Sequence, residues 1–90
     1  MARKVWKDSV PVGDIAVRDL PFGATILHVD CQESGEVTFW FEFEPDYPPG
    51  VPTVARKFTI FGTGHTIPEG WEYVGTTLDG PFVWHLYEQF

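Results

Sequence analysis

The chain has 90 residues, which suits a single domain spanning residues 1–90, and eight Phe, four Trp and three Tyr are available for its core. Its formal net charge is −7, so nucleic-acid phosphates and anionic membranes are disfavoured as partners. The charge is uneven, because the first eighteen residues hold four Lys or Arg against two Asp (+2), and the rest hold two against eleven Asp or Glu (−9).

The single cysteine and the N-terminal residues indicate the cellular compartment in which the protein is expected. Cys31 is the only cysteine, so no intrachain disulfide can form, and a reducing cytoplasm is expected. The basic start Met1–Lys4 is not followed by the apolar run of a signal peptide. No stretch approaches the roughly 18 apolar residues of a membrane span. We therefore expect a cytoplasmic protein that does not bind membranes.

Alternating apolar and polar residues, separated by Gly- and Pro-containing turns, predict an all-β domain. We expect about seven short antiparallel strands that form a small sandwich or a partly open barrel. Because the connections are mostly short, strands that are neighbours in sequence should pair. The predicted strands are Arg3–Lys7, Asp14–Asp19, Ala24–Gln32, Val37–Glu44, Val54–Phe61, Trp71–Leu78 and Phe82–Glu88.

The second and third strands are predicted from period-2 alternation. In the second, Ile15 and Val17 should face inward, while Ala16 and Arg18 face outward. In the third, one face should carry Thr25, Leu27, Val29 and Cys31, and the other Ile26, His28 and Asp30.

The clearest alternation lies in the fourth strand, where every second residue is a phenylalanine. One side carries Phe39, Phe41 and Phe43, and this side should face the core. The proline-rich segment from Pro45 to Pro52 cannot be a central strand and predicts an extended surface loop. The fifth strand should then turn Phe58 and Ile60 inward.

The tetrad Gly62-Thr63-Gly64-His65 follows a strand, as a phosphate-binding loop does. However, no Lys-Ser/Thr pair follows it, and Pro68 and Gly70 exclude the long helix that would hold an anion at its N-terminus. The sequence favours a tight connection with glycines in left-handed conformations. The alternative is a backbone nest that binds a small anionic ligand, with Arg56 or Lys57 nearby.

No set of side chains predicts a metal or a cofactor. His28, His65 and His85 lack the local spacing of zinc ligands. Glu42, Glu44 and Asp46 form an acidic row that could bind calcium or do acid–base work, but such a row also solubilises the outer face of a sheet. We favour the solvated face.

Nucleophiles are equally sparse. Ser9, Ser34 and Cys31 have no flanking base and no nucleophile-elbow context. The sequence therefore predicts that the protein is not an enzyme.

The segment Trp84-His85-Leu86-Tyr87 must expose an aromatic side chain, because whichever face points inward, the other keeps Trp84 or the His85/Tyr87 pair. Core packing is favoured for the segment. A contact surface formed by Trp84, His85 and Tyr87 is the alternative, since we expect the last strand at a sheet edge and fifteen aromatic rings favour self-association.

The whole chain resembles an uncharacterised family of small proteins, about ninety residues long, carried by actinobacterial phages and their hosts. The resemblance implies a phage origin and an intracellular setting, and it implies no activity. The Val37–Glu44 stretch and the 45–53 loop fit the family pattern less well. The matching segments are Lys4–Lys7, Pro21–Val29, Phe58–Pro68, Tyr73–Thr76 and Phe82–Glu88.

Together these features favour a non-enzymatic, phage-encoded accessory protein that binds another molecule, with a host protein expected as the partner. One alternative is a protein that sequesters a small ligand or nucleotide at Gly62–His65 with Arg56 and Lys57. Another is a minor structural component of the virion. A gene among early genes would favour the first two, and a gene beside capsid or tail genes would favour the third.

Overall fold

Seven β-strands make up the fold in residues 2–45 and 52–89, which are the residues that this computed structural model describes. The all-β class and the number of strands are as predicted. Those residues contain no helix long and apolar enough to cross a membrane. The strands are β1 Lys4–Pro11, β2 Ala16–Pro21, β3 Thr25–Asp30, β4 Glu36–Phe43, β5 Thr53–Gly62, β6 Trp71–Asp79 and β7 Phe82–Gln89.

The strands form two antiparallel sheets, which confirms the sandwich. The three-stranded sheet has the order β1-β4-β3, and the four-stranded sheet has the order β2-β5-β7-β6. Only two pairs, β3/β4 and β6/β7, join strands that are consecutive in sequence. The expectation that sequence neighbours pair is therefore wrong for the other connections. The chain crosses between the sheets after β1, after β2 and after β4.

The β4 phenylalanines fill the space between the sheets as predicted. Phe39 is fully buried, Phe41 and Phe43 are each 4% exposed, and Phe39 packs on Phe58 of the opposite sheet with ring centroids 4.9 Å apart. Burying one such side chain stabilises the fold by about 1.5–3 kcal/mol. The other buried apolar residues are Val10, Ala16, Leu20, Ala24, Val29, Val37, Ile60 and Leu86.

The inward face of β2 is opposite to the prediction. Ile15, just before β2, and Val17 are 59% and 53% exposed, whereas Ala16 and Leu20 are buried. The cause is the pairing with β5, in which Ala16 lies beside the buried Phe58. A shift of one residue moves every side chain of a strand to the other face.

A β-bulge interrupts the predicted alternation of β3. The register with β4 shifts between Ile26 and His28, so that Ile26 pairs with Phe41 and Val29 with Phe39. Both Ile26 and Val29 thus contribute to the core, and Leu27 between them is 50% exposed. The predicted common face of Thr25, Leu27, Val29 and Cys31 is wrong because the extra residue of a bulge changes the phase of the side chains.

The position of the C-terminal strand also differs from the prediction. β7 lies inside the four-stranded sheet, between β5 and β6, and the edge strands are β1, β3, β2 and β6. The predicted loop from Pro45 to Pro52 lies mostly outside the described residues.

Candidate functional site

The outer side of the four-stranded sheet carries a cluster of aromatic side chains that are half-buried or exposed. Strand pairing places Tyr87 beside Thr59 on one side and beside Tyr73 on the other, and it places His85 between Phe61 and Thr76. We call this surface the aromatic face. It comprises the outward side chains of Val17, Lys57, Thr59, Phe61, Trp71, Tyr73, Thr76, Leu78, Val83, His85, Tyr87 and Gln89.

Four aromatic rings on this face contact one another edge to face. Tyr87 lies 5.3 Å from Phe61 and 5.6 Å from Tyr73, and Phe61 lies 6.1 Å from Trp71, with interplanar angles between 71° and 86°. Pairs in this geometry are attractive by about 0.5–1.5 kcal/mol beyond their burial. The rings therefore hold one another in place, although Tyr73 remains 58% exposed.

A chain of polar groups fixes the imidazole within this face. Nε2 of His85 lies 2.9 Å from the Thr63 hydroxyl, and Nδ1 lies 2.9 Å from the Thr76 hydroxyl. The Thr76 oxygen also lies 2.6 Å from the Tyr73 hydroxyl. Since each hydroxyl can both donate and accept, either neutral tautomer of His85 satisfies the whole chain. Each imidazole nitrogen thus has a threonine hydroxyl as its hydrogen-bond partner.

The charge of the aromatic face differs from that of the chain as a whole. Lys57 is its only Lys or Arg, and it contains no Asp or Glu. Asp19, at the next outward position of the edge strand β2, marks its boundary. The outer side of the three-stranded sheet is different, because there Arg3 forms an ion pair with Glu42 at 2.8 Å and Lys7 donates to Gln32 at 2.7 Å. The aromatic face thus lacks the ion pairs of the opposite outer surface, although other exposed aromatic residues, Trp6, Phe22 and Phe82, lie outside it.

Trp84 does not belong to this face. It points to the inner side of the sheet, packs against the core, and donates its Nε1–H to Oδ2 of Asp79 at 3.1 Å. Of the three residues predicted as an interface, the structure therefore brings only His85 and Tyr87 together on one surface. The predicted edge position of their strand is wrong, so that surface is the face of a sheet and not its edge.

The Gly62–His65 tetrad forms a tight turn. The His65 N–H donates to the Gly62 carbonyl at 3.2 Å, and the Gly62 N–H donates to Nδ1 of His65 at 3.1 Å. Gly64 has the left-handed conformation expected, with φ of 89°, but Gly62 has an ordinary extended backbone and ends β5. Two of the four backbone N–H groups of the tetrad, those of Gly62 and His65, are therefore engaged within the turn, which disfavours a nest for an anion.

Arg56 and Lys57 lie far from that turn. At about 3.3 Å per residue, the six residues from Arg56 to Gly62 span roughly 20 Å of β5. Arg56 is also committed to a largely buried ion pair with both carboxylate oxygens of Glu88, and it donates a further hydrogen bond to the Ala24 carbonyl at 2.7 Å. The structure does not bring the six residues predicted as a ligand site together.

A groove of about 380 Å³ does border the turn. Phe82 and Trp84 stack on one side of it, with ring centroids 5.3 Å apart, and Thr63 and His65 lie on the other. None of its lining residues is Lys or Arg. A phosphate there would lack a cation, which weakens the nucleotide alternative.

The histidines and the free cysteine form no chemical centre. His28 packs beside Trp40 on the three-stranded sheet, whereas His85 lies on the four-stranded one. In the part of the chain that the structure describes, no three His, Cys, Asp or Glu side chains are arranged to hold a metal ion. Partial burial, together with the nearby Asp79 and Asp30, raises the pKa of the Cys31 thiol above its ordinary value, which disfavours a reactive thiolate.

Asp79 is a second carboxylate with a structural role, in addition to Glu88. The Gly35 N–H donates to its Oδ2 at 2.9 Å, and with the Trp84 indole this holds the pKa of Asp79 below its ordinary value. Gly35 belongs to the β3–β4 turn and Asp79 to the end of β6, so this carboxylate ties one sheet to the other.

The family comparison covers the whole chain. Residues 1–90 match the model of a domain of unknown function, DUF7352. The chain belongs to this family. The match agrees with the resemblance to an uncharacterised family. The description of DUF7352 assigns it no function. No curated protein and no solved structure matches the chain.

Sequence reasoning missed several members of the aromatic face, namely Phe61, Trp71, Tyr73 and Thr76. A signal for them exists in the alternation of β7, where Val83, His85, Tyr87 and Gln89 occupy one side without a carboxylate. Recognising it required knowledge that β5 and β6 flank β7, which the sequence does not reveal.

Proposed function

We propose that this chain is a non-enzymatic binding protein that contacts another polypeptide through the aromatic face. One observation carries the proposal: a chain of net charge −7 presents one sheet surface with four aromatic rings and no Asp or Glu. Tyr and Trp are enriched at protein interfaces and charged residues are depleted from interface centres. Thr and His on the same face supply hydrogen-bonding groups of the kind found around such aromatic anchors.

Three features favour binding over catalysis. Both nitrogens of His85 have hydroxyl partners. The raised pKa of Cys31 disfavours its thiolate form. The Asp79 carboxylate is occupied by the hydrogen bond that joins the two sheets. The aromatic face offers shape and apolar contact instead.

The setting we propose is the cytoplasm of an infected actinobacterial cell, where the protein acts as a phage-encoded accessory factor. The resemblance of residues 4–88 to phage proteins and the single cysteine support this setting. The partner polypeptide is encoded either by the host or by the phage.

A photo-cross-linking experiment tests the proposal. A benzophenone amino acid replaces Tyr73 on the aromatic face, or Trp40 on the outer side of the three-stranded sheet as the matched aromatic control. After irradiation in actinobacterial cells that express either protein, we expect a defined adduct with another polypeptide from position 73 and none from position 40. Equal adducts from both positions, or none from position 73, would contradict the assignment of the face.

A further inference from the structure

We propose that a second copy of this chain covers the aromatic face, so that two four-stranded sheets pack face to face about a twofold axis. The inference rests on the proposed function, since it uses the same face and names the polypeptide that occupies it. Each copy then contributes its three-stranded sheet to the outside of a four-layered dimer.

Charge favours this face over any other as the contact between copies. Two chains of net charge −7 repel each other. Carboxylates lie in the turns, on the outer side of β4 and on the edge strands. Opposed like charges destabilise a contact and suppress wrong pairings. The aromatic face is free of carboxylates, and Lys57 lies near one end, where its long side chain can keep the ammonium group at the rim.

The edge strands disfavour the competing route, in which copies join their sheets edge to edge. β3 and β6 each contain a register shift, between Ile26 and His28 and between Tyr73 and Gly75. β2 has six residues and ends at Pro21, and β1 carries the charged Lys4, Lys7 and Asp8. Bulges, prolines, short strands and charged side chains all oppose pairing at an edge. Contact through a sheet face avoids all four edges.

The size of the face fits a weak but specific dimer. Three strands, β5, β7 and β6, about 4.8 Å apart and about eight residues long, at about 3.3 Å per residue, give a rectangle of roughly 14 by 26 Å, to which β2 adds only Val17. Two copies would bury roughly 800 Å², a size typical of weak, transient contacts. Sheets that pack face to face keep their strands about 30° apart, which allows the rings of the two copies to interdigitate. We therefore expect a dissociation constant in the micromolar range.

The test compares two Thr→Glu substitutions that change the net charge equally. Thr59 lies in the middle of the aromatic face, beside Tyr87, and Thr25 lies on the outer side of the three-stranded sheet, beside Glu42. Sedimentation velocity is measured on the full chain from about 1 to about 500 μM, a range that brackets a micromolar dissociation constant. Wild type and Thr25→Glu should shift from 10.2 kDa toward twice that mass with concentration, and Thr59→Glu should weaken the dimer at least about tenfold.

A monomer at every concentration overturns the inference, and so does a dimer that Thr59→Glu leaves unchanged. Circular dichroism confirms that each variant retains its β structure. If Thr59→Glu fails to fold, Tyr73→Ser provides the same comparison, because Tyr73 is 58% exposed in the monomer.

The cross-linking result separates this inference from the proposed function. An adduct of position 73 with a second copy supports both. An adduct of position 73 with a different polypeptide, combined with a monomeric wild type, contradicts the dimer and leaves the proposed function intact. A monomer without any adduct contradicts both.

Discussion

Gly75 of β6 lies directly against the side chain of Val29 of β3, so the two sheets are in contact at this point. A Cβ atom placed on Gly75 would lie 2.6 Å from Cγ2 and 2.9 Å from Cβ of Val29, distances that no unstrained contact allows. The glycine is therefore required by the approach of a neighbouring side chain and not by an unusual backbone angle. It lies at the β6 bulge, where the register shifts after Tyr73.

Gly75→Ala should destabilise the protein by about 1–3 kcal/mol, the usual cost of overpacking a core. The measurement is urea-induced unfolding, and the double variant with Val29→Ala is the control. Val29→Ala removes the contact with Cγ2 at 2.6 Å but keeps Cβ at 2.9 Å, so Gly75→Ala should cost less in that background than in wild type. Equal costs in both backgrounds would show that the two residues do not press on each other.

The second prediction concerns the buried ion pair. Glu88→Gln removes a carboxylate that is 8% exposed and leaves the Arg56 guanidinium without its counter-charge. Breaking a buried pair on one side costs about 3–5 kcal/mol.

Glu42→Gln is the matched control for this prediction. Glu42 pairs with Arg3, whose side chain is 63% exposed, so that substitution should cost about 1 kcal/mol or less. Thermal or urea unfolding of both variants gives the comparison. Similar losses of stability would mean that the burial of Arg56 and Glu88 is unimportant.

These two features also show what the sequence could and could not reveal. The all-β class and the face of β4 follow from local alternation, because Phe39, Phe41 and Phe43 repeat at the period of a strand. The pairing of Arg56 with Glu88 joins residues 32 positions apart, and only the order β5-β7-β6 makes them neighbours. Local pattern carries no information on that order.

The inward face of β2 shows a different limit. Apolar residues occur on both sides of this strand, with Ile15 and Val17 on one side and Leu20 on the other. Pairing with β5 turns the side with Ala16 and Leu20 inward. A smaller part of the candidate site is likewise accessible from sequence, because the last strand indicates His85 and Tyr87. Phe61 and Tyr73 lie beside them only because β5 and β6 flank β7. Trp84 lies on the opposite side of β7, which is the side that places Leu86 in the core.

The third prediction is a dependence of stability on pH through Asp79. Hydrogen bonds from Gly35 and Trp84 lower its pKa in the folded state below the ordinary value of 3.8. Above that value the carboxylate is charged in both states, and its stabilising contribution is fully present. As the pH falls below about 4, the unfolded chain takes up the proton first, and the contribution disappears as the pH passes the lowered folded pKa.

Asp79→Asn should therefore be less stable than wild type at neutral pH, and the difference should shrink on acidification below about pH 4. Melting temperature measured against pH provides the comparison. Asp14→Asn, in the turn before β2, corrects for the general effect of removing one carboxylate from an acidic chain. A difference that stays constant from pH 7 to pH 2 would rule out this role for the Asp79 charge.

The fourth prediction concerns salt and the dimer. Because each copy carries −7, the two copies repel each other at a distance even though their contact surface lacks carboxylates. Raising the ionic strength from about 0.02 to about 0.5 M shortens the Debye length from roughly 20 Å to about 4 Å, and the dimer should tighten. Sedimentation at each salt concentration measures this effect. A dimer that weakens with salt would indicate attraction between opposite charges, and the aromatic face could not be its contact.

The strand order has a consequence for how the protein is made. At about 5–20 residues per second of synthesis, the completed β1 waits roughly 1–5 seconds before the first residue of its partner β4 is added to the chain. The two hairpins, β3/β4 and β6/β7, can close as soon as they leave the ribosome, whereas β2 must wait for β5. The nascent chain thus carries two unpaired strands through much of its synthesis, and Lys4, Lys7 and Asp8 keep the first of them hydrated until β4 arrives.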